Sequence, residues 1–399
     1  MNLIYQIIIR IYGAIIYLAS PFSLKARQWL NGRKKLEDYL PDGTTENIIW
    51  FHCASLGEYM QAKPIIEALK ERHTEHKILL TFFSPSGYIN AEKNEYVDYK
   101  SYIPLDTSAN AQSFLARTKP KIAIFIKSEL WPNFFKKLHH NSISTYVVSA
   151  IFKPQHYLFK FYGKWHLSIL KDVSHFFVQD EESKTLLNKK GIFQVTVSGD
   201  NRYDKVFEDC IHSKEIPYIN SFKGSHPLIV AGSTYKIDSK MLLNISNRMP
   251  EVKFILAPHE TELCYDLKKY GLLYSQANKD NVKNHSILII DSIGILSQLY
   301  QYATLSYIGG AFGKGLHNIL EAITFGSYVF FGPKFHKHEE AKEAIRAGIA
   351  QSIKNEYELE TAIKQFIDHS SHNKNDSLNF ISEKKGANKM IINAISDLT

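Results

Sequence analysis

Short apolar runs recur along this chain, each followed by a stretch with helical periodicity, and the alternation happens in two successive series. In the first, Ile48 to His52, Ile78 to Phe83, Ile122 to Ile126, Tyr146 to Ser149, Phe176 to Gln179 and Val195 to Ser198 read as buried strands, with a helix from Tyr59 to Glu71 after the first. In the second, Leu228 to Ala231, Phe254 to Ala257, Ser286 to Ile290, Leu305 to Ile308 and Tyr328 to Phe331 do the same. Strands alternating with helices imply parallel sheets covered on both faces, so the expected class is α/β with two Rossmann-like doubly wound domains facing a cleft. A chain of 399 residues is also too long for one ordinary core. The least patterned connection runs from Asp204 to Pro227, where Pro217, Gly224 and Pro227 interrupt any element. This predicts an N-terminal domain over 36–210 and a C-terminal domain over 225–399, behind an amino-terminal segment 1–35.

That segment is of a different kind. Leu3 to Phe22 is almost wholly apolar, broken by Gln6, Arg10 and Ser20, and is followed by Lys25, Arg27, Arg33, Lys34 and Lys35. A cleaved signal would carry its positive charge ahead of the apolar stretch, so the segment reads as a retained membrane-anchor helix. About 20 residues can just span a bilayer, whereas Arg10 would cost about 2.5–3.5 kcal/mol at its centre, and both a spanning and a surface-lying helix fit. A buried amphipathic core helix is the bland alternative. The basic cluster predicts attachment at the cytoplasmic face of the inner membrane. The net charge of +8 favours anionic partners, yet no basic stripe interleaved with aromatics is present, so nucleic acid is not expected as a partner. Cys53, Cys210 and Cys264 form no CxxC pair, which argues against a disulfide framework or zinc site and for a reducing compartment.

Candidate chemistry collects just past the strand ends. Leu305 to Ile308 leads into Gly309, Gly310, Gly313 and Gly315, whose backbone can approach a ligand closely, and Asn318 can cap a helix through Leu320. A phosphate would be favoured at such a helix start, and Glu321 could accept bonds from ribose hydroxyls. The spacing matches neither GxGxxG nor the P-loop pattern, so an ordinary tightly packed turn remains an alternative. After the first strand, Glu58 opens a helix and can act either as a general base or as a first-turn dipole partner. Cys53 is expected to be an inert buried thiol. Glu129 follows the Ile122 to Ile126 strand, aimed by Trp131-Pro132, with an ion pair to Lys127 as its bland reading. Arg202, in the polar turn Ser198 to Asp204, is suited to developing phosphate charge. Ser233 and Thr234 offer hydroxyl and backbone donors after a further strand. His336-Lys-His338-Glu339 lacks a third ligand at helical spacing and reads as a solvated loop, so no metal is assigned to the site.

Taken in order, His52-Cys-Ala-Ser-Leu-Gly-Glu58, Ser128-Glu-Leu-Trp-Pro-Asn133, Gly199-Asp-Asn-Arg-Tyr-Asp204, Ala231-Gly-Ser-Thr234 and Gly309-Gly-Ala-Phe-Gly-Lys-Gly-Leu-His-Asn-Ile-Leu-Glu321 resemble the 3-deoxy-D-manno-octulosonic acid (Kdo) transferases of lipopolysaccharide synthesis. The resemblance runs from the amino-terminal segment to about Lys334. It implies a GT-B glycosyltransferase that inverts the anomeric centre, uses CMP-Kdo as co-substrate without a further cofactor or metal, and takes lipid IVA, an anionic acylated disaccharide, as acceptor. It also implies Glu58 as catalytic base and Glu129 and Arg202 as transition-state stabilisers, the last usually lysine in the family. CMP contacts would fall on Pro258-His259, on Ile293-Gly294-Ile295 and on Asn318-Ile319-Leu320-Glu321, beside Ser233, Thr234 and Gly310. Two departures stand out: Pro258-His259-Glu260 replaces the usual Pro-Arg-His, and Ile295 stands where a glutamate is usual. Other readings are another GT-B enzyme, such as a nucleotide-sugar epimerase or a UDP- or ADP-sugar transferase, and a non-catalytic membrane-attached binding protein.

Overall fold

The computed structural model describes residues 2–34, 36, 40–41, 47–127, 129–369 and 372–396. Lys35 of the basic cluster and Ser128 of the Ser128 to Asn133 motif lie outside them. The chain divides into two compact units, Met1–Asp204 with Lys385–Thr399, and Lys205–Lys384. The division falls between Asp204 and Lys205, inside the helix Arg202–Ile211. Residues 385–396, read from the sequence as part of the second domain, return to the first.

The first unit is built on β1 (Ile48–Cys53), β2 (Lys77–Phe82), β3 (Tyr99–Tyr102), β4 (Pro120–Ile126), β5 (Ser144–Ala150), β6 (His175–Val178) and β7 (Val195–Val197). All pairs are parallel, and the spatial order is β3-β2-β1-β4-β5-β6-β7. The order reverses between β1 and β4, the position where an open parallel sheet leaves a crevice at its strand ends. Every residue of β1 is buried, and successive side chains enter opposite layers. Ile48 and Trp50 join one core with Phe114, Phe125 and Phe134, whereas Ile49, Phe51 and Cys53 join another under the helix Leu56–Arg72. The C-terminal helix Ala387–Ser396 closes this second layer with Ile391, Ile392 and Ile395. Each such side chain contributes about 1.5–3 kcal/mol when fully buried, enough to hold the chain's end away from its neighbours in sequence.

The second unit repeats the plan with β8 (Leu228–Thr234), β9 (Lys253–Pro258), β10 (Leu272–Leu273), β11 (Ile287–Ile289), β12 (Leu305–Ile308), β13 (Tyr328–Phe331) and β14 (Ala350–Ser352). Its parallel order is β10-β11-β9-β8-β12-β13-β14, reversing between β8 and β12. The expected α/β class of two doubly wound units is therefore what the chain forms. Three strands escaped the sequence reading, β3, β10 and β14, and each is an outermost strand of its sheet. Edge strands are short and half-wet, so they lack the continuous apolar run that marks an interior strand.

The amino-terminal helix Asn2–Ala19 belongs to the first unit and is neither a core helix nor detached from the domain. A stripe of Tyr5, Gln6, Ile9, Gly13 and Ile16 is partly covered, while Leu3, Ile4, Ile7, Ile8, Ile11, Ile15 and Leu18 are exposed. Tyr5 donates a 2.6 Å bond to Asp106 Oδ2, and Gln6 Nε2 donates one of 2.6 Å to Asn133 Oδ1. Among the described residues no single helix is long and apolar enough to cross a membrane; this helix and Leu24–Lys34 together reach the required length but are bent by 115°. Lys25, Arg27 and Lys34 are exposed. Arg33 is turned inward instead: its guanidinium donates to the carbonyls of Ile103, Phe83 and Trp29 and lies 3.7 Å over the Trp29 ring, so it is unavailable to headgroups.

Candidate active site

In the first unit the candidate groups follow β1 and β4, the two strands that flank the reversal. Ser55 and Glu58 begin the helix Leu56–Arg72 with reciprocal capping, and Glu58 Oε2 accepts the Ser55 N–H at 3.1 Å. The capping role and a catalytic one thus coexist, since a capped carboxylate still has a second oxygen. Glu58 is only 8% exposed. Burial pushes its carboxyl above the ordinary value, against the nearby Lys127 ammonium and the backbone N–H groups that favour the anion. Lys127, directly after β4, adopts a left-handed φ of 63°, a conformation costly for a residue with a side chain. That strain turns the chain sharply at the strand end and lodges the ammonium beside both glutamates. Glu129 is pushed up to about 7, first by burial and then by the charge of Glu58, with Lys127 opposing. Two carboxylates and a lysine thus form one cluster, in which the charge of Glu58 helps to raise Glu129 and the Lys127 ammonium opposes the rise in both. Cys53 is buried and its thiol is pushed well up, so it is no nucleophile.

The turn after β7 is fixed to the same helix. Asn201, fully buried, donates to the Gln61 carbonyl at 2.9 Å and accepts from Ser149 Oγ at 3.0 Å, while Gln179 Nε2 donates to Ser149 O at 3.0 Å. Ser149 has φ 56°, a second strained strand end. This network ties the ends of β5, β6 and β7 to the helix that carries Glu58. Arg202 departs from the expectation of an anion-ready guanidinium: its Nε donates to Asp200 Oδ2 at 2.8 Å, with Nη2 at 2.6 Å from the same oxygen. Any phosphate would compete with that carboxylate. A cavity of about 540 Å³ opens beside the same helix, walled by Leu56, Tyr59, Met60 and Lys63 and by Lys93 and Glu95 opposite.

In the second unit the candidate groups again flank the reversal. Gly309 follows β12 and lies hard against β8; a Cβ there would come within 2.4 Å of Ser233 O. Ser233 itself has φ 52°. Gly310 (φ 91°) is held by Asp238, which accepts from the Gly310 N–H at 3.1 Å, the Tyr235 N–H at 2.9 Å and the Tyr307 hydroxyl at 2.6 Å. Asp238 is the post on which the glycine loop stands, and no motif in the sequence announced it. A pocket of about 620 Å³ opens here, walled by Thr234, Tyr235, Glu260, Gly310, Gly313 and Lys314 among others. The rings of Tyr235, His259 and His317 cluster at centroid separations of 4.5–5.7 Å, Tyr235 and His317 stacked and His259 tilted against both, and Lys314 reaches Glu260 at 2.9 Å across the Tyr235 face.

Other expected donor contacts sit differently. The helix after the glycine loop is a single turn, Leu320–Ile323, so its dipole is small and anion binding there would rest on loop N–H groups. Asn318 Oδ1 accepts from the Leu320 N–H at 3.1 Å, as a cap should, and its Nδ2 donates to Glu321 at 3.0 Å. Glu321 is raised by burial. Ile293 and Gly294 are exposed on the loop after β11, with Gly294 at φ 91°. Neither the Ile293 to Ile295 turn nor Asn318 to Glu321 lines the 620 Å³ pocket.

Two parallel doubly wound units with chemistry-bearing loops at both reversals define the GT-B type architecture. Solved structures that share it include UDP-GlcNAc 2-epimerases from Neisseria meningitidis (TM-score 0.58, 15% identity, covering 88% of this chain and 99% of that one) and Methanocaldococcus jannaschii (TM-score 0.58, 16% identity, 88% and 99%). At those identities the likeness is one of fold. Residues 28–205 match the family described as 3-Deoxy-D-manno-octulosonic-acid transferase (kdotransferase). The 3-deoxy-D-manno-octulosonic acid transferases of Rickettsia felis (26% identical, 87% of this chain and 76% of that one) and Aquifex aeolicus (28%, 83% and 90%) align over most of the length. The chain is a relative of the Kdo transferases.

Proposed function

We propose that this protein is an inverting glycosyltransferase that moves Kdo from CMP-Kdo to lipid IVA in lipopolysaccharide synthesis. The observation that carries the reading is Glu58, a buried carboxylate past β1, raised by burial and flanked by Lys127 and Glu129. As an anion it removes the proton from a sugar hydroxyl of the acceptor while that oxygen attacks the anomeric carbon and CMP leaves. Lys127, and Glu129 in its protonated form, are the groups able to steady charge around it, and Arg202 can reach phosphate only by yielding Asp200. The clustered Tyr235, His259 and His317 rings suit a pyrimidine base, and the loop from Ala311 to Lys314 suits its phosphate, the N–H groups of Gly310 and Gly313 themselves being given to Asp238 Oδ2 and Gly310 O. Lys314 can supply the cation that the family's usual arginine would give. Nothing in this scheme calls for a metal.

The acceptor is an anionic amphiphile, which accounts for the exposed apolar face of Asn2–Ala19 beside Lys25, Arg27 and Lys34. With Tyr5 and Gln6 bonded to the domain, this helix lies in the membrane interface at the cytoplasmic face. Purified protein incubated with lipid IVA and either CMP-Kdo or a UDP sugar is the test. Glu58→Gln keeps an acceptor for the Ser55 N–H, so it should fold, bind CMP and lose transfer by about 10²–10⁴-fold. Unchanged transfer would remove Glu58 as the base, and turnover of UDP sugars alone would favour an epimerase or another transferase.

A further inference from the structure

The helix Leu56–Arg72 ends in His73, which caps it, and the chain re-enters the sheet at Lys77. The three residues of that turn with metal-ligating side chains, His73, Glu75 and His76, bring one ligand atom each to within 4.8 Å of one another. The turn is rigid: the His76 N–H donates to His73 O at 3.0 Å, and Lys70 Nζ donates to His76 O at 2.6 Å. His76 is only 6% exposed, and its Nδ1, itself buried, makes no hydrogen bond of acceptable geometry although Glu75 Oε1 is 2.9 Å away. The buried imidazole nitrogen thus has a solvent-exposed carboxylate as its near partner, off the line of a good hydrogen bond. A cation held by both would give that nitrogen an aligned partner.

We infer that His73, Glu75 and His76 form a binding site for a borderline divalent transition metal of the zinc or nickel kind, clamping the end of the helix Leu56–Arg72 to the start of β2. Two imidazoles and one carboxylate suit those ions rather than calcium or magnesium, with water completing the shell. Ligand atoms around such an ion lie about 3.4 Å apart, so the exposed Glu75 and the half-exposed His73 need to close by no more than about 1.4 Å. Lys70 and Arg72 are the neighbouring cations; Lys70 is matched by Asp98 at 3.1 Å, and Arg72 donates to Asn393 and Ser396. The site lies at the far end of a 17-residue helix from Glu58, about 22 Å away along the helix axis, so its role is to brace the scaffold rather than to take part in transfer.

The full-length protein, stripped with EDTA, would be titrated with zinc by calorimetry and melted with and without the metal, with cobalt as a spectroscopic probe. The expected result is one-to-one binding, a visible cobalt spectrum of low coordination number, and a melting midpoint raised by roughly 5 °C at a hundredfold excess over Kd. His73→Gln and Glu75→Gln, both on partly or fully exposed side chains, should leave the metal-free midpoint in place and weaken zinc at least about tenfold. Because the chain has 17 histidines, the variants decide the matter: zinc binding and thermal shift unchanged in both, or no shift in the parent protein, would overturn the site.

Discussion

Tyr5, at the end of the first turn of the apolar amino-terminal helix, donates its hydroxyl to Asp106, a carboxylate that also accepts the N–H groups of Asn133 and Phe134 at 3.2 Å. A helix that spanned a bilayer independently of the domain would have no use for a buried bond to it. Tyr5→Phe should cost roughly 1–3 kcal/mol, because a buried acceptor loses its donor, and should hasten proteolysis of the helix. Burial raises Asp106 to about 6 in the folded protein. An acid with a raised folded pKa contributes stability below its unfolded pKa and loses it as pH rises through 6. Asp106→Asn should therefore flatten the fall in stability between about pH 4 and pH 6. Unfolding measurements that show neither change would sink this coupling.

Glu129 obeys the same sign at higher pH. Raised to about 7, its contribution to stability is full below the ordinary value of 4.5 and is gone above 7. Glu129→Gln mimics the protonated form and should stabilise the protein at pH 8 by roughly 1–3 kcal/mol while changing little at pH 4. All four tryptophans, Trp29, Trp50, Trp131 and Trp165, belong to the first unit, so urea unfolding followed by tryptophan fluorescence reads the right region. Equal effects at both pH values would show that the buried charge is not the cause.

Lys127 couples backbone strain to electrostatics. Lys127→Gly relieves the left-handed φ, worth about 1 kcal/mol, and removes the cation that holds both glutamates down. Lys127→Met removes the cation alone. Both should move the acid limb of the pH–rate profile to higher pH, because Glu58 must be ionised to act, and the glycine variant should be about 1 kcal/mol more stable than the methionine one. An acid limb that stays in place in both variants would detach Lys127 from Glu58.

The glycine loop separates packing from ligand contact. Gly309→Ala puts a Cβ 2.4 Å from Ser233 O and 2.7 Å from Thr234 Cα, so β8 and β12 must part and the melting temperature should drop by several degrees. Gly313→Ala meets nothing within 4 Å and should melt with the parent protein. Its methyl group enters the 620 Å³ pocket, so CMP affinity measured by calorimetry should fall. Normal CMP binding by Gly313→Ala would move the phosphate site elsewhere.

Much of this molecule could be read before any coordinates. Leu305–Ile308 and Tyr328–Phe331 were legible to the residue because interior parallel strands read as near-continuous apolar runs, Ser306 being the one polar break, and that pattern needs no partner to be seen. Glu58 and Glu129 were legible as residues just past strand ends, where α/β sheets keep their chemistry. Edge strand β3 was not, since Tyr99-Lys-Ser-Tyr102 alternates as a loop might. Arg202 read as a free cation because its engagement by Asp200 is a matter of side-chain geometry, not of spacing.

What the sequence determined by itself is local: the periodicity of each element, the glycines, the caps and the apolar helix at the amino terminus. Tertiary structure decided everything that depends on a distant partner. It sent Ile391, Ile392 and Ile395 back under the first sheet, set Asp238 beneath Gly310, and bonded Tyr5 to a carboxylate 101 residues away. It also raised Glu129 by burying it beside Glu58. The reason is physical: patterns of hydrophobicity are written along the chain, whereas desolvation and hydrogen-bond partnership arise only when segments far apart in sequence share one dry space.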